Sequence, residues 1–336
     1  MLLDPWHVSA VGTLTGCIAC MTCVESLAKE NPSAMSLLTF ATFLFIALEG
    51  LFVSSRFLTI PNKIPIRGYI PVVIVFTFVN FINNQALNFH VPVPLHIIFR
   101  SGSLLTSLLM NRLVLGRKYS TKKYLSVLAV TVGIVVCTLV NATNEKKSDT
   151  TMSLEEAEKH YKEWTIGIIM LTVALIASSY LAILQEKMYS TYGKHPREAM
   201  FYIHALGLPF FTFWGTDIYR SLNEFSNSPA YEVLGISLGI PGLWLKLLGA
   251  CAMQWVCILF VYQLNSQTDS LTVTLIVTLR KFLSLLISVF WFNNTFTFLQ
   301  WLAAAAVFGG TATFTDLDVQ LYNRLFANKP KKEKST

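Results

Sequence analysis

The chain has 336 residues, 53% of them hydrophobic and only 13% charged, with a net charge of +7 and a mean hydropathy of +0.52. Soluble domains carry about 25% charged residues, so the composition excludes an ordinary water-soluble enzyme or binding domain. Apolar runs of about 20 residues recur along the whole length, the pattern of a polytopic membrane protein.

Taken in chain order, ten apolar spans are predicted, at 6–28, 33–55, 69–89, 93–115, 123–142, 164–186, 198–218, 242–263, 270–293 and 297–316. The first contains Cys17, Cys20, Cys23 and Glu25, and no Lys or Arg precedes it. A cleaved signal peptide would carry a basic leading segment, so this span is read as retained. Gly12, Gly16 and Cys20 form a row of small residues suited to close helix packing. All six cysteines (these three with Cys137, Cys251 and Cys257) fall within or at the ends of spans. They are read as polarizable packing residues rather than as a disulfide framework or metal ligands. The longest polar stretches are 143–163, containing SLEEAEKHYKEW as a solvated amphipathic turn or helix, and 221–240.

Sixteen of the 26 Lys and Arg residues lie on the side shared by the two termini and the even-numbered loops, seven on the other, and Arg100, Arg280 and Lys281 lie inside spans. The positive-inside rule then places both termini in the cytosol. The same bias accounts for most of the net charge, which is therefore no sign of nucleic-acid binding. The chain divides into a first five-span half (1–142), a polar loop (143–163), a second half (164–316) and a basic tail (317–336).

A faint repeat links the halves. LHIIFRSGSLL at 95–105 aligns with LIVTLRKFLSL at 275–285, so that Leu95 meets Leu275 and Arg100 meets Arg280. Each segment is the fourth span of its half and precedes a glycine-containing fifth span (Gly133; Gly309 and Gly310). Five spans per half make the second half enter from the opposite side. The fold class expected is therefore an all-α polytopic protein of ten transmembrane helices in two inverted five-helix repeats, with a site near the midplane between them.

Arg100 would lie roughly 9 Å from one membrane edge and Arg280 roughly 15 Å from the other, at 1.5 Å per residue. A charge at a helix centre costs about 2.5–3.5 kcal/mol on the insertion scale. Two readings account for Arg100, Arg280 and Lys281: pairing with buried acids such as Glu49 or Glu186, or lining a wet cavity that receives an anion. Polar stripes favour the cavity. In span four, His96, Arg100, Ser103, Ser107 and Asn111 share one helix face, as do Thr274, Thr278, Lys281, Ser284 and Ser288 in span nine. Span three adds Asn80, Asn84 and Asn88. Any single Ser or Thr can instead bond its own helix backbone.

The segments LNFHVPVPLHIIFRSGSLL, QEKMYSTYGKHPREAMFYIHAL and SLTVTLIVTLRKFLSLLISVFWF resemble the nucleotide-sugar transporters of the Golgi and endoplasmic reticulum, and within them the UDP-xylose/UDP-N-acetylglucosamine branch. The resemblance covers essentially all ten spans. It implies the drug/metabolite transporter fold, and antiport of a cytosolic UDP-sugar against lumenal UMP by alternating access. No cofactor is implied, and the partners are UDP-sugars, UMP and the lipid bilayer, with a homodimer left open.

Related transporters read the nucleobase with Phe-Tyr-Asn-Asn in span seven; here the string is Phe201-Tyr202-Ile203-His204, without either asparagine. Their Gly-Ala-Leu-Asn-Lys in span nine is matched by Val277-Thr278-Leu279-Arg280-Lys281, with Lys281 on the lysine and Arg280 in place of the asparagine. Arg100 corresponds to a basic residue of span four. The resemblance thus assigns phosphate binding to Arg100, Arg280 and Lys281, and the planar fork of Arg and point charge of Lys suit that task. Tyr202 and Tyr180 are candidates to border the uracil. His204, Asn80, Asn84, Gln185, Gln254 and Ser103 are candidates to contact base, ribose or sugar.

The alternatives are a membrane-embedded transferase using UDP-sugars and a carrier of another nucleotide sugar. Glu49, Glu186 and Asp316 are scattered, and YGKHP at 192–196 lacks the features of a phosphate-binding loop for ATP. Lys332 and Lys334, three and five places from the end, resemble a dilysine signal read by coat proteins on a cytosolic tail.

Overall fold

The computed structural model describes residues 5–31, 34–86, 102–145, 154–233, 236–291 and 298–314. Eleven α-helices occur among them. They are α1 (Pro5–Glu30), α2 (Met35–Glu49), α3 (Ile66–Ala86), α4 (Ser103–Leu115), α5 (Thr121–Glu145), α6 (Leu154–Tyr192), α7 (Pro196–Gly207), α8 (Gly215–Ser226), α9 (Gly242–Gln267), α10 (Ser270–Trp291) and α11 (Phe298–Phe314). Each of the ten predicted spans meets one of these helices. Five stretches are long and apolar enough to cross a membrane: Trp6–Val24, Met35–Ser54, Ile66–Asn83, Thr165–Tyr192 and Gly242–Gln267. Ser103–Leu115, Ser270–Arg280 and Trp301–Phe314 are shorter apolar helices.

Three departures from the sequence reading have local causes. Span seven ends early: α7 gives way to a 3-10 stretch at Leu208–Trp214, started by Pro209, which cannot supply the next helical N–H. The polar stretch after it is not plain loop. It carries α8, whose Ile218, Ser221 and Phe225 are buried at helical spacing, and an antiparallel hairpin of β1 (Ala230–Val233) and β2 (Ile236–Pro241). The all-α expectation therefore has this one exception among the described residues. Finally, most of the amphipathic run SLEEAEKHYKEW, from Leu154 on, is the first part of α6 rather than a separate element.

The helices pack in pairs that join distant parts of the chain. α1 lies on α9 and α10, and α6 lies on α3 and α4. α2 contacts α9, and α3 contacts α7. α2 also pairs with α7, α4 with α10 and α5 with α11. The small residues are where helices approach most closely. A Cβ added at Gly12 would lie 2.4 Å from the Phe260 ring, at the α1–α9 contact. One at Gly133 would lie 2.7 Å from the Ala303 carbonyl oxygen, and one at Gly310 would lie 2.9 Å from that of Ser126, both at the α5–α11 contact. Any side chain there would push the helices apart.

Beside the row of small residues on α1 lies a covalent link. Cys17 and Cys257 form a disulfide between α1 and α9, which corrects the reading of all six cysteines as packing residues. Cys20 and Cys251 are free and buried, and Cys23 is free and half-buried. The spacing within CxxCxxC gives no hint of a partner 240 residues away.

Candidate functional site

The site is built from the facing stripes of α4 and α10. These helices run antiparallel, and their polar side chains meet in register. The Ser270 hydroxyl donates to Asn111 Oδ1 at 3.0 Å, Thr274 Oγ1 lies 3.3 Å from Ser107 Oγ, and Ser103 Oγ lies 3.3 Å from Thr278 Oγ1. Thr274 and Thr278 also bond the carbonyls of Ser270 and Thr274, so both fates expected of a helical Thr are realised at once. Ser107 and Asn111 are fully buried. The stripes therefore do not line a wet passage along their whole length. One end is a dry seam, and the other, at Ser103, Thr274 and Thr278, opens into a cavity.

This cavity has a volume of about 490 Å³ and is walled by α2, α3, α4, α6, α7, α9 and α10. It gathers six residues singled out from the sequence: Asn80, Ser103, Gln185, His204, Gln254 and Arg280. Arg280 brings the positive charge, and its Nη1 lies 3.6 Å from Cys257 Sγ. Gln254 accepts the Cys20 thiol at 2.7 Å, and Gln185 accepts the Asn265 amide. Each glutamine side-chain oxygen is thus held in place. Asn80 donates to the Phe76 carbonyl at 2.8 Å.

His204 is the most constrained of these. It is fully buried. Its Nδ1 lies 2.7 Å from the Met200 carbonyl oxygen, which can only accept, so Nδ1 carries the proton. Nε2 is then a lone-pair acceptor, buried and without a hydrogen-bond partner among the described residues. The rings of Phe43, Phe76 and Tyr262 surround the imidazole at centroid distances of 4.8, 5.5 and 5.9 Å. All three rings line the cavity. Sequence reasoning missed them, because an aromatic in an apolar span carries no mark of the face it occupies.

Other predicted residues lie elsewhere. Tyr180 continues the stripe of Ile166, Ile169, Val173 and Ile176 on the outer face of α6 and is 38% exposed; it does not line the cavity. Tyr202 stacks on Tyr69 (centroids 5.2 Å apart, planes at 18°) and lines a second cleft toward the end of the bundle where the basic turns gather. Arg100 lies outside the described residues, as do Asn88 and the basic tail. Asn84 and Lys281 fall on α3 and α10.

Of the two acids named as partners in the sequence reading, Glu186 pairs with a cation outside the spans. Glu186 binds Arg117 of the loop between α4 and α5, and its Oε2 accepts the Ser270 N–H at 2.9 Å. Burial lowers the pKa of Arg117, but the Glu186 carboxylate more than offsets this and holds it above its usual value. Glu49 Oε2 is buried and has no hydrogen-bond partner among the described residues. Arg117 is the nearer partner because both ends of that pair lie at the basic end of the bundle, whereas Arg280 lies well down α10.

The geometry is that of a central, mostly apolar chamber with one described cation and a few fixed polar groups, the usual make-up of a small-molecule site. Comparison with known proteins agrees. The zebrafish (Danio rerio) UDP-xylose and UDP-N-acetylglucosamine transporter is 43% identical over 304 residues, covering 90% of this chain and 91% of its own. The Drosophila melanogaster endoplasmic reticulum GDP-fucose transporter is 40% identical over 325 residues, covering 94% and 92%. A solved crystal structure shares the fold at a TM-score of 0.59 and 16% identity, over 93% of this chain and 98% of its own. Residues 7–318 match a family of transporters rather than of enzymes, and the chain belongs to that family, the UAA transporter family.

Proposed function

We propose that the chain is a nucleotide-sugar antiporter that carries UDP-N-acetylglucosamine, UDP-xylose or both from the cytosol into the lumen of the endoplasmic reticulum or Golgi, in exchange for UMP. The observation that carries this reading is the central chamber, which unites Arg280 with Gln185, Gln254, Asn80 and His204 at the meeting of helices from both halves. A UDP-sugar brings about two negative charges on its phosphates, and UMP close to two. Arg280 faces them directly; Arg100 and Lys281 join it on sequence spacing, which sets both on the polar stripes that supply Ser103 and Thr278. His204 Nε2 accepts from the base or a hydroxyl, and the surrounding rings cover the base.

The packing pattern supports two inverted halves. Exchanging α1 with α6, α2 with α7, α3 with α9, α4 with α10 and α5 with α11 turns the α1–α9 contact into α6–α3, and α1–α10 into α6–α4. It turns α2–α9 into α7–α3, and it returns α2–α7, α4–α10 and α5–α11 to themselves. A two-fold relation between halves around a central site is the arrangement that alternating access uses. Both termini are read as cytosolic, with Lys332 and Lys334 as a retrieval signal for coat proteins.

A second reading keeps the mechanism and changes the cargo. The Drosophila relative is named for GDP-fucose at 40% identity, so similarity at this level does not fix the base. Purified protein in vesicles preloaded with UMP or GMP and offered UDP-N-acetylglucosamine, UDP-xylose and GDP-fucose separates the readings. Uptake of a UDP-sugar that depends on internal UMP is expected. Uptake only of GDP-fucose against GMP overturns the uridine assignment. No counterflow of any nucleotide sugar overturns the transport reading.

A further inference from the structure

A second chamber of about 520 Å³ lies at the basic end of the bundle, between the turn that follows α2 and the start of α7. Lys63 comes from the first half, and Lys194, His195, Arg197 and Glu198 from the second. Among the described residues, the side chains of Lys63, Lys194 and Arg197 make no ion pair. The one carboxylate is turned inward. Glu198 Oε1 accepts the Lys63 and Ile64 N–H groups at 3.0 and 2.9 Å and the Tyr69 hydroxyl at 3.0 Å, while Oε2 accepts Lys63 N–H at 3.1 Å. Three cations against one carboxylate leave the cleft with a net charge of about +2, opposite to that of a nucleoside diphosphate.

The cleft stands above the central chamber on shared walls. On α7, Arg197 and Tyr202 line the cleft, while His204, two residues beyond Tyr202, lines the chamber. On α9, Gln263 lines the cleft and Tyr262 the chamber. Arg197 to His204 spans about 10 Å of helix. The stacked Tyr69–Tyr202 pair lies between the two levels. A charged solute that enters from this end meets the cleft first.

We propose that this cleft is a capture site for the phosphate groups of the incoming nucleotide sugar, which holds the anion at the mouth before the tyrosine pair parts. The proposal rests on the transport reading above, with the basic end as the loading face. Unpaired cations in a recess raise the local concentration of an anion and its rate of arrival, in a way that falls with ionic strength. The same groups would also suit the phosphate of a lipid headgroup, and the test separates the two sources.

The full-length protein, oriented in phosphatidylcholine vesicles, is compared with K63Q/K194Q/R197Q. For UDP-N-acetylglucosamine added at the basic face, KM is expected to rise about five- to tenfold and to lose most of its dependence on salt. KM for UMP at the opposite face should move less than twofold. Equal changes at both faces, or an unchanged KM at the basic face, overturn the capture site. Vesicles with added phosphatidylserine form the second arm. If wild-type transport rises with that lipid and the triple variant loses the response without a change of KM in phosphatidylcholine, the cleft holds a lipid phosphate and nucleotide capture is overturned. A wild type that exchanges no nucleotide sugar sinks the transport reading instead. Should the triple variant accumulate poorly, K194Q alone, whose side chain is exposed and unpaired, carries the same test with about a twofold effect.

Discussion

The Glu198 carboxylate accepts the Tyr69 hydroxyl at 3.0 Å, and Tyr69 in turn stacks on Tyr202. One acid in the first turn of α7 thereby holds an aromatic ring of α3 against its own helix and pins the 62–64 segment through two amides. Glu186 makes a similar tie nearby, joining Arg117 to the start of α10. Both ties connect the first half to the second at the basic end. Each tie draws the two halves together at that end.

Breaking the first tie should open it. Hydrogen bonds to a charged group contribute about 1.5–3 kcal/mol each, enough to shift a two-state equilibrium by more than tenfold. In E198A, the distance between spin labels at Pro61 and Thr191, both exposed at this end, should move to longer values or split into two populations. Y69F, which keeps the ring stack, should show a smaller shift in the same direction. An unchanged distance distribution in E198A would remove Glu198 from any role in closing this end.

Arg280 is the cation that the structure places in the central chamber. R280A should reduce exchange of UDP-sugar for UMP by at least about 100-fold, since charge-assisted contacts of about 1.5–3 kcal/mol each are lost. R280K keeps the charge without the planar fork and should retain exchange with KM raised about tenfold. K281A and R100A belong to the same experiment. Normal UMP exchange in any one of them removes that residue from the phosphate assignment.

His204 offers a buried acceptor that has no hydrogen-bond partner among the described residues. H204F keeps an aromatic ring among Phe43, Phe76 and Tyr262 and removes Nε2. A site that hydrogen-bonds its substrate loses about 1–3 kcal/mol with one such contact, so KM should rise about 5- to 150-fold at a normal level of folded protein. Wild-type KM in H204F would show that the imidazole only packs.

Much of this arrangement is legible in the sequence, for reasons that differ by element. The spans show because apolar runs of membrane length are rare otherwise. The α4–α10 seam shows because Ser103, Ser107 and Asn111 repeat every four residues among apolar neighbours, so polarity marks a face. Where both faces of a helix are apolar, that mark is lost. Tyr180 sits on the outer stripe of α6 while Ser178, Ser179 and Gln185 line the chamber, and nothing in the apolar text around Tyr180 says which way it points. The Glu198 tie is invisible for another reason, since most of its partners are backbone amides about 135 residues away. The helix α8 was missed because its polar residues outnumber the three that are buried.

The disulfide between Cys17 and Cys257 is a covalent link across 240 residues that the sequence concealed. It ties α1 to α9 beside the chamber, and Cys257 is itself a wall residue within 3.6 Å of Arg280. Native disulfides typically contribute about 2–4 kcal/mol. C17S and C257S should therefore each lower the thermal midpoint by several degrees and by similar amounts, because either change removes the same bond. Their transport should differ. C17S leaves the sulfur next to Arg280 in place and should keep KM near the wild-type value. C257S replaces that sulfur with a smaller hydroxyl and should shift KM as well. Peptide mapping of the unreduced wild type should recover the two segments as one cross-linked species, with four thiols left to label. Six reactive thiols in the denatured wild type, with both variants melting at the wild-type temperature, would show that the bond does not form. The two helices would then be held by packing, with Gly12 against Phe260 and Gly16 against Val256, and by the Cys20–Gln254 and Ser9–Gln267 hydrogen bonds.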